Sequence, residues 1–419
     1  PFPEQEYDYK QPEIKSFEFS KSDTLSFTSK TLPSKSSLPA KRINWSKIPS
    51  KPFDIGSPYK VGDLPKKPLD WEALPRRDFD LDSLPKLEIG IKVIVLGAPK
   101  IVKAGIPEKA VDGSRGVMTF DDDFGYPGNI TIQILDSEGS FWFAGNEGIA
   151  RYDGEKLELY SQEQGLKSRG IFAMYEDSNG RIWIGDNAGS VSVIDAKAKL
   201  IFELNIPGFR GINDMVEAAD GKFWLSNVQV GYDIIDLKQK LVHRFTPEQG
   251  LLGKITISPY QDEEGLIWLS TNNGITIIDL EAGKNISFTP DNGLLNDFVI
   301  NFYEDSQNRM WIGTDSGVTI FNSKKDELSY LADPFGFDSK GDGVSDILEG
   351  RNGNYWIGTD KGELFYYDES ASSMEKIVVE TSDKFVGIWG LIEDKHGQIW
   401  IPTIREGIFL FNPKGGKPG

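Results

Sequence analysis

Cysteine is absent from the 419 residues, so no disulfide can staple the fold and no thiolate can hold a metal. Histidine occurs twice, as His243 and His396, which leaves little for imidazole acid–base or metal chemistry. There is no uninterrupted apolar run of about 18 residues, so no segment reads as a membrane-spanning helix. Positive charge is in deficit. With 46 Lys and Arg against 64 Asp and Glu, the net charge is −18. That balance argues against nucleic acid or an anionic membrane surface as a partner. No Gly-x-Ser-x-Gly elbow, phosphate loop or His-rich metal spacing occurs, so no catalytic residue is assigned. The chain opens with Pro1 rather than Met and is expected to be processed or cut from a longer protein.

What is present divides at about residue 116. Residues 1–115 hold 20 basic and 16 acidic residues, and 14 of the 23 prolines; the remainder carries a net −22. This first part reads as an extended Pro/Ser/Lys-rich arm. Its one expected strand is 89–96, Ile-Gly-Ile-Lys-Val-Ile-Val-Leu. Leu-Pro recurs ten residues apart at Leu64-Pro65, Leu74-Pro75 and Leu84-Pro85, and each Pro favours extended backbone before it. Trp45, Phe53, Trp71, Phe79 and Leu81 are anchors that a free tail seldom carries, and the opposite charges point the same way, toward an arm lying on an acidic body.

From residue 116 to 419 one unit repeats. Tryptophan falls at 142, 183, 224, 268, 311, 356 and 400, with spacings of 41 to 45. Before each Trp is a turn such as Asp177-Ser178-Asn179-Gly180, and after it a small residue. Then come a Gly turn (Gly148, Gly189, Gly231, Gly274, Gly317, Gly362, Gly407) and an apolar-alternating run ending at Asp or Asn. Four short antiparallel strands per unit make a propeller blade, with the Trp as filler between blades. The last unit stops after three strands, whereas Val117–Phe120 matches the end of a unit. The expected fold is therefore all-β: a seven-bladed β-propeller of four-stranded blades, closed by an N-terminal strand that completes the last blade.

Asp177–Gly185, Glu304–Val318 and Asn354–Gly362 resemble the two-component regulator propeller repeat, and the resemblance extends over all seven units. It implies an extracytoplasmic, periplasmic or extracellular sensor of Bacteroidetes-type bacteria, attached to an envelope receptor. Such propellers precede an immunoglobulin-like domain, a membrane helix and a cytoplasmic output domain, and some relatives sense oligosaccharides. Many relatives have two rings where one is seen here.

Ligands of propellers bind where loops enter the innermost strands. That entry row reads Gly128, Arg169, Arg210, Lys254, Asp297, Asp342, Val386. These charges are either solvated independently or form a polarised funnel that orients a charged or zwitterionic ligand. A second, deeper row reads Ile132, Ala173, Asp214, Ser258, Asn301, Asp346, Gly390, whose polar members suit hydroxyl recognition. Trp389, expected on the innermost strand and off the repeat, either stacks on a sugar face or fills a gap between blades. The candidate ligand is an oligosaccharide or other small polar molecule, and no cofactor is expected. Asp338–Glu349 partly matches a calcium loop, but Lys340 occupies a ligand position and 347–349 is expected in a strand, which argues against calcium. Two other readings stay open. One is a scaffold propeller that holds a protein partner. The other is an enzyme similar to streptogramin lyases, which share Gly-x-x-Trp units but depend on a channel histidine and Mg²⁺ chemistry.

Overall fold

A computed structural model describes residues 59–104, 108–109, 117–120, 125, 130–167, 170–186, 189–332, 343–377, 387–403 and 407–411. Seven antiparallel sheets follow one another along the chain; the innermost strands of the first six touch in succession, and the last sheet meets the innermost strand of the first. Blades 1 to 6 span 130–160, 171–205, 215–245, 256–288, 299–331 and 344–377. Blade 7 has Ile392–Glu393, Ile399–Thr403 and Gly407–Phe411, and Val117–Phe120 pairs with the last of these as its fourth strand. The seven-bladed ring and its closure stand as expected.

The four-stranded blade needs correction: every sheet has five strands, and the fifth comes from the arm. The arm, read with one strand, supplies seven. Tyr59–Lys60 pairs with blade 6, Lys66–Pro68 with blade 5, Arg76–Asp78 with blade 4 and Lys86–Glu88 with blade 3. Gly90–Val95 pairs with blade 2, Lys100–Lys103 with blade 1, and Glu108–Lys109 lies outside Val117–Phe120 on blade 7. The arm thus circles the ring against the order of the blades. The correction has a simple cause. An outer strand exposes a row of unpaired N–H and C=O groups, and any extended segment can pair with it without an alternating pattern of its own.

The ten-residue Leu-Pro period is one step of this circuit. The carbonyls of Pro65, Pro75 and Pro85 accept the backbone N–H of Tyr330, Ser287 and Arg244 at 3.1, 2.9 and 3.0 Å. A proline is tolerated here because it stands immediately before a short strand, at the end of the ladder, where its carbonyl alone is used. Asp70 and Asp80 cap the short 3-10 turns Trp71–Ala73 and Leu81–Ser83 that carry the arm from one blade to the next.

The core is distributed as seven hydrophobic clusters, one at each junction between blades. Arm side chains close six of them from outside. Examples are Leu69 and Leu74 between blades 4 and 5, Phe79 and Leu84 between blades 3 and 4, and Ile89 between blades 2 and 3. Trp45 and Phe53 lie outside the described residues. The repeat tryptophans fill the junctions as expected. Trp183 stacks on Phe223 of the next blade at 3.8 Å, Trp311 on Tyr355 at 4.0 Å, and Trp400 on Phe141 at 4.2 Å across the closure.

In blades 1, 2, 4, 5 and 7 the Trp is held by its own turn. Its indole N–H donates to the Asp six residues earlier, as in Trp183 to Asp177 at 2.9 Å and Trp311 to Asp305 at 2.8 Å, while the other carboxylate oxygen accepts turn N–H groups. The residue before that Asp, or before the Ala218 or Gly350 that stands in its place, reaches backward. Glu176, Glu217 and Glu349 accept both the N–H and the hydroxyl of the Ser in the preceding blade's turn. Gln261, Glu304 and Glu393 accept the corresponding N–H alone. Leu135 occupies this position in blade 1, and the closing junction is tied instead by Gln133, which donates to the carbonyls of Gly390 and Trp400.

Candidate ligand-binding site

The hairpins between second and third strands need glycine at positive φ. Gly317, for example, has φ 122°, and a Cβ there would lie 2.2 Å from the Leu331 carbonyl. These hairpins lie at the same end of the ring as the entry loops. The N–H groups of Val228, Asn272, Asp315 and Asp360 donate to the carbonyls of Gly211, Ile255, Phe298 and Gly343 in the loops that lead inward. Arg210, Lys254 and Asp297 sit on these loops and are exposed, as entry positions should be. The Asp297 carbonyl accepts the N–H of Gly274 from the neighbouring blade's hairpin at 2.6 Å. Its charge, after the larger effect of burial, helps hold the Asp315 carboxyl above its ordinary range, with Lys361 opposing. Arg169 and Asp342 lie outside the described residues, as does the calcium-like loop before Gly343, while 347–349 lies in the strand Val344–Glu349.

The deeper row is polar over blades 3 to 6, at the start of the inner strands. In blades 2, 4, 5 and 6 the inner strand shifts register against the second strand beside Ala173, Ser258, Asn301 and Asp346. A bulge of this kind turns a side chain away from the sheet normal, here toward the channel. Asp214 immediately precedes its strand. Its carboxylate accepts the Ser258 hydroxyl from blade 4 at 2.6 Å and the N–H of Met215 at 2.8 Å. Asp346 likewise accepts the N–H of Leu391 from blade 7, and that of Ile347 at 2.9 Å.

Both carboxyls are pushed up to about 6, chiefly by burial, with these hydrogen bonds opposing. Each is enclosed by protein yet keeps some solvent contact, the state of a group lining a narrow channel. They belong to blades 3 and 6, and even so the Asp214 charge contributes to raising Asp346. The deeper row therefore brings two enclosed carboxylates of different blades close enough to repel each other. Between them in sequence is Asn301, whose Oδ1 is buried without a hydrogen-bond partner in the protein. That oxygen lies against Gly313, where a Cβ would approach it to 2.1 Å. A free buried acceptor in the same row as two carboxylates suits a donor-rich ligand.

Trp389 is placed differently from the expectation. It lies in the segment before the two-residue strand Ile392–Glu393, not on it. Its indole Nε1 lies over Gly387, beside the Asp360 carbonyl, and the ring is half-buried at the junction of blades 6 and 7. Gly387 and Gly390 on either side leave no side chains to extend the sheet. Neither histidine stands at the channel. His243 is buried on the fourth strand of blade 3 with its Nδ1 2.9 Å from the Leu81 carbonyl, and His396 is exposed in a turn of blade 7.

Sequence reasoning missed the serines behind the site. Ser226 Oγ accepts the N–H groups of Asn213 and Asp214 at 2.9 and 3.0 Å, and Ser270 Oγ accepts that of Ser258 at 2.7 Å. They occupy the small-residue position after the Trp, which is Gly or Ala in blades 1, 2, 5 and 6. The hydroxyl replacing Gly was the available signal.

A ring of seven five-stranded blades packed through their tryptophans defines a β-propeller. Residues 165–188, 293–316 and 338–361 match the family model described as two component regulator propeller, so the chain carries repeats of that family. No curated protein sequence matches the chain. Among solved structures, it is similar to the extracellular domains of BT3049 and BT4673 of B. thetaiotaomicron, described as hybrid and one component systems respectively. The first is 16% identical with TM-score 0.57, covering 71% of this chain and 42% of that one. The second is 21% identical with TM-score 0.57, covering 68% and 39%. The chain thus spans about two fifths of the length of these domains. A virginiamycin B lyase from Staphylococcus aureus is 15% identical with TM-score 0.55, covering 78% of this chain and 100% of that one. At these identities the likenesses show the shared propeller fold.

Proposed function

We propose that this chain is the extracytoplasmic ligand-binding sensor domain of a bacterial signalling receptor, and that it takes a small polar ligand, of oligosaccharide type, at the channel mouth. The observation that carries the reading is the enclosed pair Asp214 and Asp346, with Ser258 and Asn301 in the same row. Carboxylates and an amide oxygen are acceptors for hydroxyl donors, and in an enclosed channel such bonds are stronger than in water. The exposed Arg210 and Lys254 at the entry add attraction for an acidic group on the same ligand. The regulator propeller repeats and the likeness to extracellular domains of signalling proteins support the placement in a receptor and outside the cytoplasm. Occupancy would be reported to output domains or a protein partner.

The test is a thermal-shift panel of neutral, uronic and sulfated oligosaccharides on the purified chain. A ligand at 100 times its dissociation constant adds about 2.7 kcal/mol. A hit lost in Asp346→Asn supports the site, and one from an acidic glycan lost in Arg210→Ala supports the funnel. A hit that survives both variants removes the channel mouth from the proposal. A silent panel with a cooperative melt transfers the reading to a protein partner.

A further inference from the structure

A second concavity lies at the other end of the ring, between blades 4 and 5. In an up-and-down blade, the turns joining first to second and third to fourth strands lie opposite the hairpins of the channel mouth. Here those turns and the arm enclose a cleft of about 180 Å³. Its apolar wall is Trp71, Trp268 and Phe321. The Trp71 ring stacks on Phe321 at 5.1 Å with 14° between planes, and lies 6.1 Å from Trp268. Its polar wall is Asp262, Glu264, Glu304 and Asp326.

The acids of the cleft lack the cation that the turn Asp has in blades 1, 2 and 5. In blades 2 and 5 the turn Asp is paired with an Arg four residues on, Asp177 with Arg181 at 2.6 Å and Asp305 with Arg309 at 2.7 Å. In blade 1 Arg151 lies 3.5 Å from Asp136. In blade 4 the position four residues after Asp262 is Leu266. Asp262 accepts only neutral donors, the Leu266 N–H and the Trp268 indole, both at 2.7 Å. Among the described residues no Lys or Arg pairs with any of the four cleft carboxylates. Lys324, on the next turn, donates instead to Asn308 Oδ1 and the Gln307 carbonyl. Asp262 and Glu304 both titrate above their ordinary range, first because they are buried and then because neighbouring carboxylates repel.

The arm shows the same local departure. Its ten-residue repeat places Leu81 where the previous copy has Trp71. An indole in that copy widens the aromatic surface at a junction whose turn has no arginine. A flat aromatic wall facing uncompensated carboxylates is the arrangement that recognises an organic cation, by ring quadrupole and by charge together.

We propose that this cleft binds a small organic cation, an alkylammonium or guanidinium group on an apolar stem, with the stem against Trp71 and Phe321 and the charge at Asp262, Glu264 and Glu304. The ligand of the channel mouth is not involved, so the two sites stand or fall separately.

The experiment is a titration of the full chain with benzylamine and agmatine, read by tryptophan fluorescence and by calorimetry, with benzyl alcohol as the neutral isostere. Saturable binding is expected for both amines, roughly tenfold or more tighter than for benzyl alcohol. Trp71→Leu, which restores the residue of the next arm repeat and so keeps the arm seated, should abolish it. Glu264→Gln with Glu304→Gln should weaken it by about tenfold or more while leaving the aromatic wall in place. N-acetyl-arginine amide in the same titration separates a free amine from a side chain of a partner: binding as tight as agmatine assigns the cleft to a partner's Arg, and exclusion assigns it to a free cation. The proposal is overturned by absence of saturation at millimolar amine, by equal binding of benzyl alcohol, or by binding unchanged in these variants.

Discussion

Residue-level differences between repeats are where this ring departs from uniform packing. In blade 3 the turn Asp is replaced by Ala218, and the Trp224 indole N–H is buried without a partner. Restoring the acid by Ala218→Asp is expected to satisfy that donor and raise stability by about 1 kcal/mol, measured as a shift of the urea midpoint. The channel pair makes a second prediction. Asp214 and Asp346 titrate at about 6 in the folded protein, against an ordinary value of 3.8. A carboxyl whose value is raised by folding gives stability that is complete below its unfolded value and lost as pH rises through its folded value. Stability should therefore decline between about pH 4 and pH 6 from these two groups. Asp214→Asn and Asp346→Asn should each flatten that decline and raise stability at pH 7 by roughly 1–3 kcal/mol. An unchanged pH profile in both variants would show that the channel solvates these carboxylates fully.

At the scale of elements, the arm is the component that gives most for least sequence. Its strands are two to six residues long and pair on one side only, so alone they have no stability. Their hold comes from the side chains set into the junctions. Phe79 is buried and meets Phe245 edge-on at 5.2 Å, and Leu74 is buried between blades 4 and 5. Phe79→Ala is expected to cost about 3–4 kcal/mol if the arm stays in place. If the arm instead peels from blades 3 and 4, the loss of midpoint will be smaller. Native-state hydrogen exchange would then show the amides of Ser287 and Arg244, bonded to Pro75 and Pro85, opening together below the global transition while that of Tyr330 on blade 5 stays protected. Protection unchanged at Ser287 and Arg244 would mean that the arm's pairing does not depend on its anchors.

Over the whole molecule, two circuits run in opposite senses. The blades follow one another from 1 to 7, while the arm passes from blade 6 down to blade 1 and then to blade 7, where Val117–Phe120 completes the last sheet. Six junctions are sealed by the backward-reaching Glu or Gln, five of them also by arm side chains, and the closing junction by Gln133, the Trp400–Phe141 stack, the borrowed strand and Val102 of the arm. Deleting Val117–Phe120 should therefore act on the ring as a unit. The expected result is a lower melting temperature with a cooperative transition, and faster unfolding, because a contact of high sequence separation is lost. A melting temperature equal to that of the intact chain would refute this form of closure.

The sequence by itself determined the periodic part. Seven Trp units, glycine turns at positive φ, the missing fourth strand of blade 7 and its supply by 117–120 are local patterns repeated until they are unambiguous. The Asp–Trp pairs of blades 1, 2, 4, 5 and 7 are also legible, since six residues of spacing bring them together within one hairpin. Part of the site was legible in the same way: aligning the units placed Asp214, Ser258, Asn301 and Asp346 in one row at the inner strands. What the tertiary structure decided lies between units. The arm's strands carry no β pattern because the neighbouring blade, rather than their own sequence, makes them strands. The coupling of Asp214 to Asp346 exists because curvature brings these carboxylates of blades 3 and 6 close enough to repel each other, a distance that no spacing along the chain encodes. The cleft at Trp71 arises where a substitution in the arm and another in a blade turn, almost 200 residues apart, meet at one junction.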